Sequence, residues 1–314
     1  MNFMKASFCP LRCSIFLCLV LTALAIYAQT NSALQLQEGL NLLQNQSFES
    51  AVIKFQAILQ TEPDNDAARR GLAVSLIGVE KFAEASREIA KLLARTPKDI
   101  KLLEMAAQTF WRQNRFVEIE AVLKRRMVFG DARAEIWALY GDALDAQRKT
   151  IEAVSAYENA VRIDSDSINF RYALGSLYWK QVRYEDAKRE FLEILRRSPN
   201  EPRASFNLGD IYLSNGDAAK ALPLLEISAK AFPNQFDTRF SFGRALFAAD
   251  KFESAITELQ TAIKLRPEIA EGYYQLGLAL QRSGRRAEAK AAFEKVRDLQ
   301  KAKRESEGLS NPKH

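Results

Sequence analysis

Residues that could do chemistry are sparse in this chain and poorly placed for it. The one histidine is His314, the last residue, so an imidazole base or a histidine metal ligand has no partners near it in sequence. The three cysteines, Cys9, Cys13 and Cys18, all fall within the first 18 residues, which leaves no thiol nucleophile, thiolate metal site or disulfide further on. No GxxxxGK[ST] or GxGxxG phosphate loop is present. The nearest approach to an acid/base pair is Asp142 with Asp145 on one helical face, and these read as solvated surface carboxylates. No catalytic residue, cofactor site or metal site is expected, and the protein is expected not to be an enzyme.

Charge points the same way. The formal net charge is +6, and without Lys5 and Arg12 of the N-terminal segment 43 basic residues face 39 acidic ones, an excess too small and too dispersed for a nucleic-acid surface. With 47 % hydrophobic and 27 % charged residues the chain can bury a core. Its 13 glycines and 9 prolines are too few for a turn-rich all-β architecture.

Residues 1–28 have the order of a secretory signal: Lys5 and Arg12, an apolar run from Ser14 to Ala28, small Ala23, Ala25 and Ala28, then polar Gln29-Thr30-Asn31-Ser32. Cleavage is expected after Ala28, with Ala25 the second choice. The rival is an uncleaved anchor over 14–28, for which the run is short. The expected location is exported, periplasmic or extracellular, with membrane contact only through this segment if it is retained.

What the rest of the chain must build follows from its period. Small residues recur at Gly39, Ala73, Ala107, Gly141, Gly175, Gly209, Gly243 and Gly277, in steps of 34 residues. A second series is Ala51, Ala85, Ile119, Ala153, Ala187, Ala221, Ala255 and Ala289. A third is Pro63, Pro97, Pro199, Pro233 and Pro267, with Asp131 and Ser165 at the missing places. A fourth, of large apolar residues, is Phe55, Ile89, Leu123, Tyr157, Phe191, Leu225, Leu259 and Phe293. In 168–201, Tyr172, Leu174, Leu177 and Tyr178 recur at helical spacing, Gln181 to Tyr184 make a turn, and a second helical run ends at Ser198-Pro199-Asn200. Each unit is a helix–turn–helix. The two small series should let its helices approach closely, and the large apolar series should fill the space between neighbouring units.

These residues resemble the tetratricopeptide repeat. The resemblance covers 32–303 and implies an all-α, right-handed solenoid of eight units (32–65, 66–99, 100–133, 134–167, 168–201, 202–235, 236–269 and 270–303), with a concave groove lined by the first helices, after a signal-peptide helix. Residues 304–314 lack periodicity and are expected to be a disordered tail. Arg285, Lys290, Arg297 and Lys301 could give the last helix a polar outer face. The third unit departs most, with Ile119 in the small series, Arg126 where alanine is usual and Asp131 in place of proline. The 120–135 junction should pack less regularly, either as ordinary degeneracy or as a hinge at 133.

In the family the groove is lined by the second, fifth, ninth, twelfth and thirteenth positions of each unit. Here these supply Trp111, Arg112, Asp142, Tyr172, Trp179, Lys180, Phe206, Asp210, Phe240, Arg244, Phe247 and Tyr274. Such a ladder of aromatics with mixed charge could grip an extended or helical peptide; its aromatics could equally serve packing, leaving binding to the convex side. The lysine–asparagine pair of chaperone-tail binders is absent: the first unit has Leu36 and Leu40 at those positions, the second Arg70 and Val74, the sixth Phe206 and Asp210. The expected function is a non-enzymatic scaffold or adaptor, bacterial and exported to the cell envelope, with a protein or peptide partner. The alternatives are a self-associating or structural part of an envelope assembly (secretion, pilus or glycan machinery) and an auxiliary subunit of an envelope enzyme.

Overall fold

The computed structural model describes residues 31–130 and 132–306. The signal segment 1–28, the anchor 14–28, Asp131 and residues 307–314 of the tail lie outside the described residues. Among those described are sixteen α-helices and no strand. The first helices of the hairpins are α1 over 31–44, α3 Asp66–Gly78, α5 Ile100–Trp111, α7 Ala134–Ala146, α9 Ile168–Lys180, α11 Pro202–Ser214, α13 Phe236–Ala248 and α15 Ala270–Arg282. The second helices are α2 Phe48–Thr61, α4 Phe82–Arg95, α6 Phe116–Met127, α8 Thr150–Ile163, α10 Tyr184–Arg197, α12 Ala218–Ala231, α14 Phe252–Leu265 and α16 Arg286–Ser306. From α2 onward, helices of each kind begin every 34 residues. The helices fall into two compact bodies that divide between Lys149 and Thr150, not at the irregular residue 133.

Local chemistry sets the helix ends. Asn65, Asp99, Ser167 and Glu201 each accept a hydrogen bond from the backbone N–H three residues on and so cap a first helix. Each first helix stops the same way. A residue with positive φ follows it, at Gln46, Glu80, Asn114, Arg148, Val182, Gly216, Asp250 and Gly284. The next N–H then reaches back to a carbonyl in the last turn, as Lys81 does to Leu76 at 2.8 Å and Arg183 to Tyr178 at 2.9 Å. Only two of these eight turns use glycine.

Packing within and between hairpins explains the periodic series. The alanine series is buried throughout, and Ile119 takes the same buried place in the third hairpin. The large apolar series rests on the small residue of its own first helix and also faces the next hairpin: Ile89 clusters with Leu103 and Ala107, and Leu225 with Ala245. A Cβ built on Gly39 would lie 2.6 Å from the Phe55 ring, on Gly209 2.7 Å from Leu225, on Gly243 2.8 Å from Leu259 and on Gly277 2.6 Å from Phe293. Phe55 also reaches the next hairpin, where a Cβ on Gly71 would stand 2.4 Å from its ring.

Between hairpins the links are polar as well as apolar. Arg171 pairs with Glu190 of its own second helix at 2.7 Å and donates to the Ser165 carbonyl of the preceding hairpin at 2.8 Å. Arg239 does the same with Glu258 (2.7 Å) and the Pro233 carbonyl (3.0 Å), and Arg69 with Glu88 (2.6 Å) and the Pro63 carbonyl. A planar fork of donors suits one carboxylate and one carbonyl at once. The irregular third hairpin has its own solution. There α6 has 12 residues where α2 and α4 have 14, and buried Arg126 pairs with Glu104 at 2.8 Å and reaches the Gly130 carbonyl at 3.4 Å.

At the C-terminal end α16 has 21 residues and runs through Ser306, so 304–306 are helical and not the start of the tail. Strong helix formers and a Lys301–Glu305 contact of 3.9 Å carry it there. Lys290 and Arg297 stand exposed where the preceding second helix has buried Ile256 and Ile263.

Candidate functional site

The two bodies present separate sets of the expected groove residues. In the N-terminal body these are Trp111 and Arg112 at the end of α5 and half-buried Asp142 on α7. Trp111 meets Phe116 edge-on at a ring distance of 5.7 Å and remains 38 % exposed. Arg112 lays its guanidinium 4.8 Å above the Phe82 ring and contacts Glu80 at 3.1 Å. Around them is a cavity of about 510 Å³, lined among others by Ile77, Glu80, Phe82, Trp111, Arg112 and Leu139.

In the C-terminal body, polar and aromatic side chains bridge neighbouring first helices. Asn207 of α11 donates to the Tyr172 hydroxyl of α9 at 3.2 Å, and the Arg203 guanidinium lies 4.6 Å above the Tyr172 ring. Asp210 of α11 faces Arg244 of α13 at 3.8 Å and accepts from the Ser241 hydroxyl at 3.5 Å. Burial pushes the Asp210 carboxyl above its ordinary value, against the pull of Arg244 and Ser241.

The ladder divides into packed and open rungs. Phe206 packs against the cluster of Leu213, Ala221, Leu225 and Ala245, and Phe240 stacks on Phe236 at 5.2 Å. Phe247 leans on Phe252 at 5.8 Å. These three serve the core. Trp179 and Tyr274 are 41 % and 43 % exposed, and Lys180 beside Trp179 is exposed too. Even Tyr274 keeps a packing contact, to Phe293 at 6.0 Å.

Helix count, period and hairpin packing already constrain the family, and comparison decides it. Tetratricopeptide-repeat family models match residues 42–109, 141–182, 172–236, 243–284 and 270–303. The chain belongs to the tetratricopeptide-repeat family. Anaphase-promoting complex subunit 3 of Schizosaccharomyces pombe is 18 % identical over 275 residues, which take in 76 % of this chain and 41 % of that protein. Vi polysaccharide export protein VexE of Salmonella typhi is 26 % identical over 170 residues, 53 % of this chain and 26 % of that one. The chain thus spans less than half the length of these curated relatives. Among solved structures, MamA 41-end from Desulfovibrio magneticus RS-1 aligns with a TM-score of 0.51 at 24 % identity, over 55 % of this chain and 97 % of that one, a likeness of fold.

Within this tetratricopeptide array, reasoning from sequence missed the surroundings of Trp111. Glu80 and Phe82 lie in a turn and at the start of a second helix, outside the first-helix positions that the family's groove uses. A signal was available: acid, aromatic and arginine recur five repeats later as Asp250, Phe252 and Arg282. There too the guanidinium lies over the ring, at 5.1 Å, with the carboxylate at 3.5 Å.

Proposed function

We propose that the protein is a non-enzymatic adaptor that grips a protein or peptide partner with its first helices, and that it does so outside the cytoplasm. One observation carries the first part. Trp111 and Trp179 occupy the same repeat position, each beside a basic residue, and both stay open to solvent in an array that fully buries Phe55 and Phe191. Large rigid aromatics on a preformed helical surface are the usual anchors of protein recognition. The relative named as a subunit of the anaphase-promoting complex favours the same reading, since a complex subunit works by contact.

Export rests on the composition of residues 1–28, and the relative named as a polysaccharide export protein is compatible with it. Among the described residues no helix is long and apolar enough to cross a membrane.

The adaptor reading is tested by placing a photoreactive amino acid at Trp111 or at Trp179 in cells and identifying what is captured. A discrete protein captured at Trp111 or Trp179 but not at the exposed control position Ile151 supports it. Capture of the same proteins equally at all three positions, or of none at either tryptophan, refutes it. Export is tested separately by fusing residues 1–32 to a phosphatase active only outside the cytoplasm; an inactive fusion rejects it.

A further inference from the structure

The cavity beside Trp111 has features that select one kind of side chain. Phe82 and Trp111 are both among its lining residues, and an aromatic face is a surface on which a flat cation can lie. Glu80 supplies the carboxylate, projected from a turn with φ of 58°. The cavity lies at the C-terminal ends of α3 and α5, where the last carbonyls carry partial negative charge. Aromatic face, carboxylate and helix C-termini together favour a guanidinium.

The molecule itself displays this preference twice. Arg112 rests on Phe82 against Glu80, and Arg282 rests on Phe252 against Asp250, in the same repeat positions. At the first of these sites the internal arginine is loosely held. Its side chain is 57 % exposed and that of Glu80 73 % exposed, and a pair so open to water contributes little. The cavity of about 510 Å³ beside it exceeds what Arg112 fills.

We propose that this cavity is a docking pocket for an arginine side chain of a partner peptide, and that Arg112 is its internal competitor. The proposal rests on the adaptor reading above and names the partner chemistry of the Trp111 end. The incoming guanidinium takes the place of Arg112 between Phe82 and Glu80 and meets Trp111 on its open face. Ile77 and Leu139 receive an apolar residue next to the arginine. Arginine is preferred to lysine because a planar ion both stacks and forks, where an ammonium is a hydrated point charge.

The test uses the full chain with Trp137→Phe and Trp179→Phe, so that Trp111 alone reports. The probe is a capped Gly-Ser-Arg-Leu-Gly-Ser peptide, with versions carrying Lys, Glu or Ala in place of Arg. Binding should quench or shift Trp111 fluorescence in the order Arg, then Lys, with Glu and Ala inactive. Arg112→Ala should tighten binding of the arginine peptide by about two- to five-fold, because an exposed ion pair no longer competes. Glu80→Gln should weaken it by about two- to five-fold, the scale of one exposed ion pair. Circular dichroism controls for folding of each variant. The proposal is overturned if no peptide perturbs Trp111 up to its solubility limit, if Glu80→Gln leaves the affinity unchanged, or if the Glu peptide binds best and Arg112→Ala abolishes it. Capture of a partner through Trp179 alongside such a failure would leave the adaptor reading standing and remove only this pocket.

Discussion

The pairing of small and large residues inside each hairpin leads to a sharp prediction about Gly39. In this chain a phenylalanine of the large apolar series always sits opposite glycine, as Gly39 with Phe55, Gly175 with Phe191 and Gly277 with Phe293. Where the small residue is alanine, its partner is aliphatic: Ala73 with Ile89 and Ala107 with Leu123, all four buried. A Cβ on Gly39 would come within 2.6, 2.8 and 3.2 Å of three Phe55 ring atoms, against a comfortable carbon–carbon separation of about 3.5–4 Å. The ring cannot retreat, because Gly71 closes its other side. Overpacking of this kind costs about 1–3 kcal/mol, and replacing a mid-helix glycine by alanine returns about 1 kcal/mol. Gly39→Ala should therefore destabilise the wild-type array by roughly 1 kcal/mol. In a Phe55→Ala background the ring atoms are gone and only the helix gain remains, so the same substitution should stabilise by up to about 1 kcal/mol. Urea unfolding of the four proteins of the cycle measures the coupling, and hydrogen exchange on α1 and α2 localises it. If Gly39→Ala has the same sign in both backgrounds, the close contact is not what keeps glycine at this position.

The remaining predictions concern turns, ion pairs and pH. Val182 holds φ at 62° in an exposed turn, a conformation that strains a β-branched residue; Val182→Asn should raise stability by about 0.5–1 kcal/mol. The reciprocal change, Gly216→Val, meets no atom within 4 Å yet has φ of 78°, and thermal unfolding should show a loss of about 1 kcal/mol from backbone strain alone. Glu120 is buried between Lys124 and Lys149, both at 2.7 Å, which with Gln147 hold its carboxyl down at about 2. A folded value below the ordinary 4.5 means that the charged form stabilises the fold: the contribution is complete above pH 4.5 and is lost as pH falls toward 2. Glu120→Gln should accordingly lower stability at neutral pH and flatten the acid limb of the stability profile, and an unchanged limb would exclude this group. Arg171→Lys should behave more like Arg171→Ala than like wild type in urea unfolding, losing roughly 1–3 kcal/mol, since one ammonium cannot serve both Glu190 and the Ser165 carbonyl.

Much of the fold was legible because close packing at a fixed spacing leaves a periodic trace. Gly209 and Leu225 touch in one hairpin as Gly243 and Leu259 do in the next, so their residue types recur with the contact. The turns left a weaker trace. Their left-handed residue is held by the hydrogen bonds of the preceding helix end, and Gln46, Glu80, Asn114, Arg148, Val182 and Asp250 tolerate it beside only two glycines. A search for glycine would have found Gly216 and Gly284 and missed the rest. The large apolar series was legible as a series, but its contact with the small residue of its own first helix was not, because a spacing says that a residue is buried and not which helices cover it. The arginine clasps were invisible for a related reason: Arg69, Arg171 and Arg239 lie 19 residues before their glutamates, a distance that means something only once the hairpin is closed.

The residues that set the packing and those that the adaptor reading uses are different residues of the same hairpin. The small residue, the alanine and the large apolar residue are fixed by contact with one another, and changing one of them changes packing first. Fifth-position aromatics are partly committed as well, as Phe240 on Phe236 and Tyr274 on Phe293 demonstrate. More exposed are the end of a first helix and the turn after it. Trp111, Arg112 and Glu80 stand there, and so do Trp179 and Lys180. These side chains stand exposed, so packing constrains them less, and the acid–aromatic–arginine grouping recurs only at Asp250, Phe252 and Arg282 among the described turns. The docking site proposed there could change its ligand without disturbing the core, which is the physical sense of the adaptor reading.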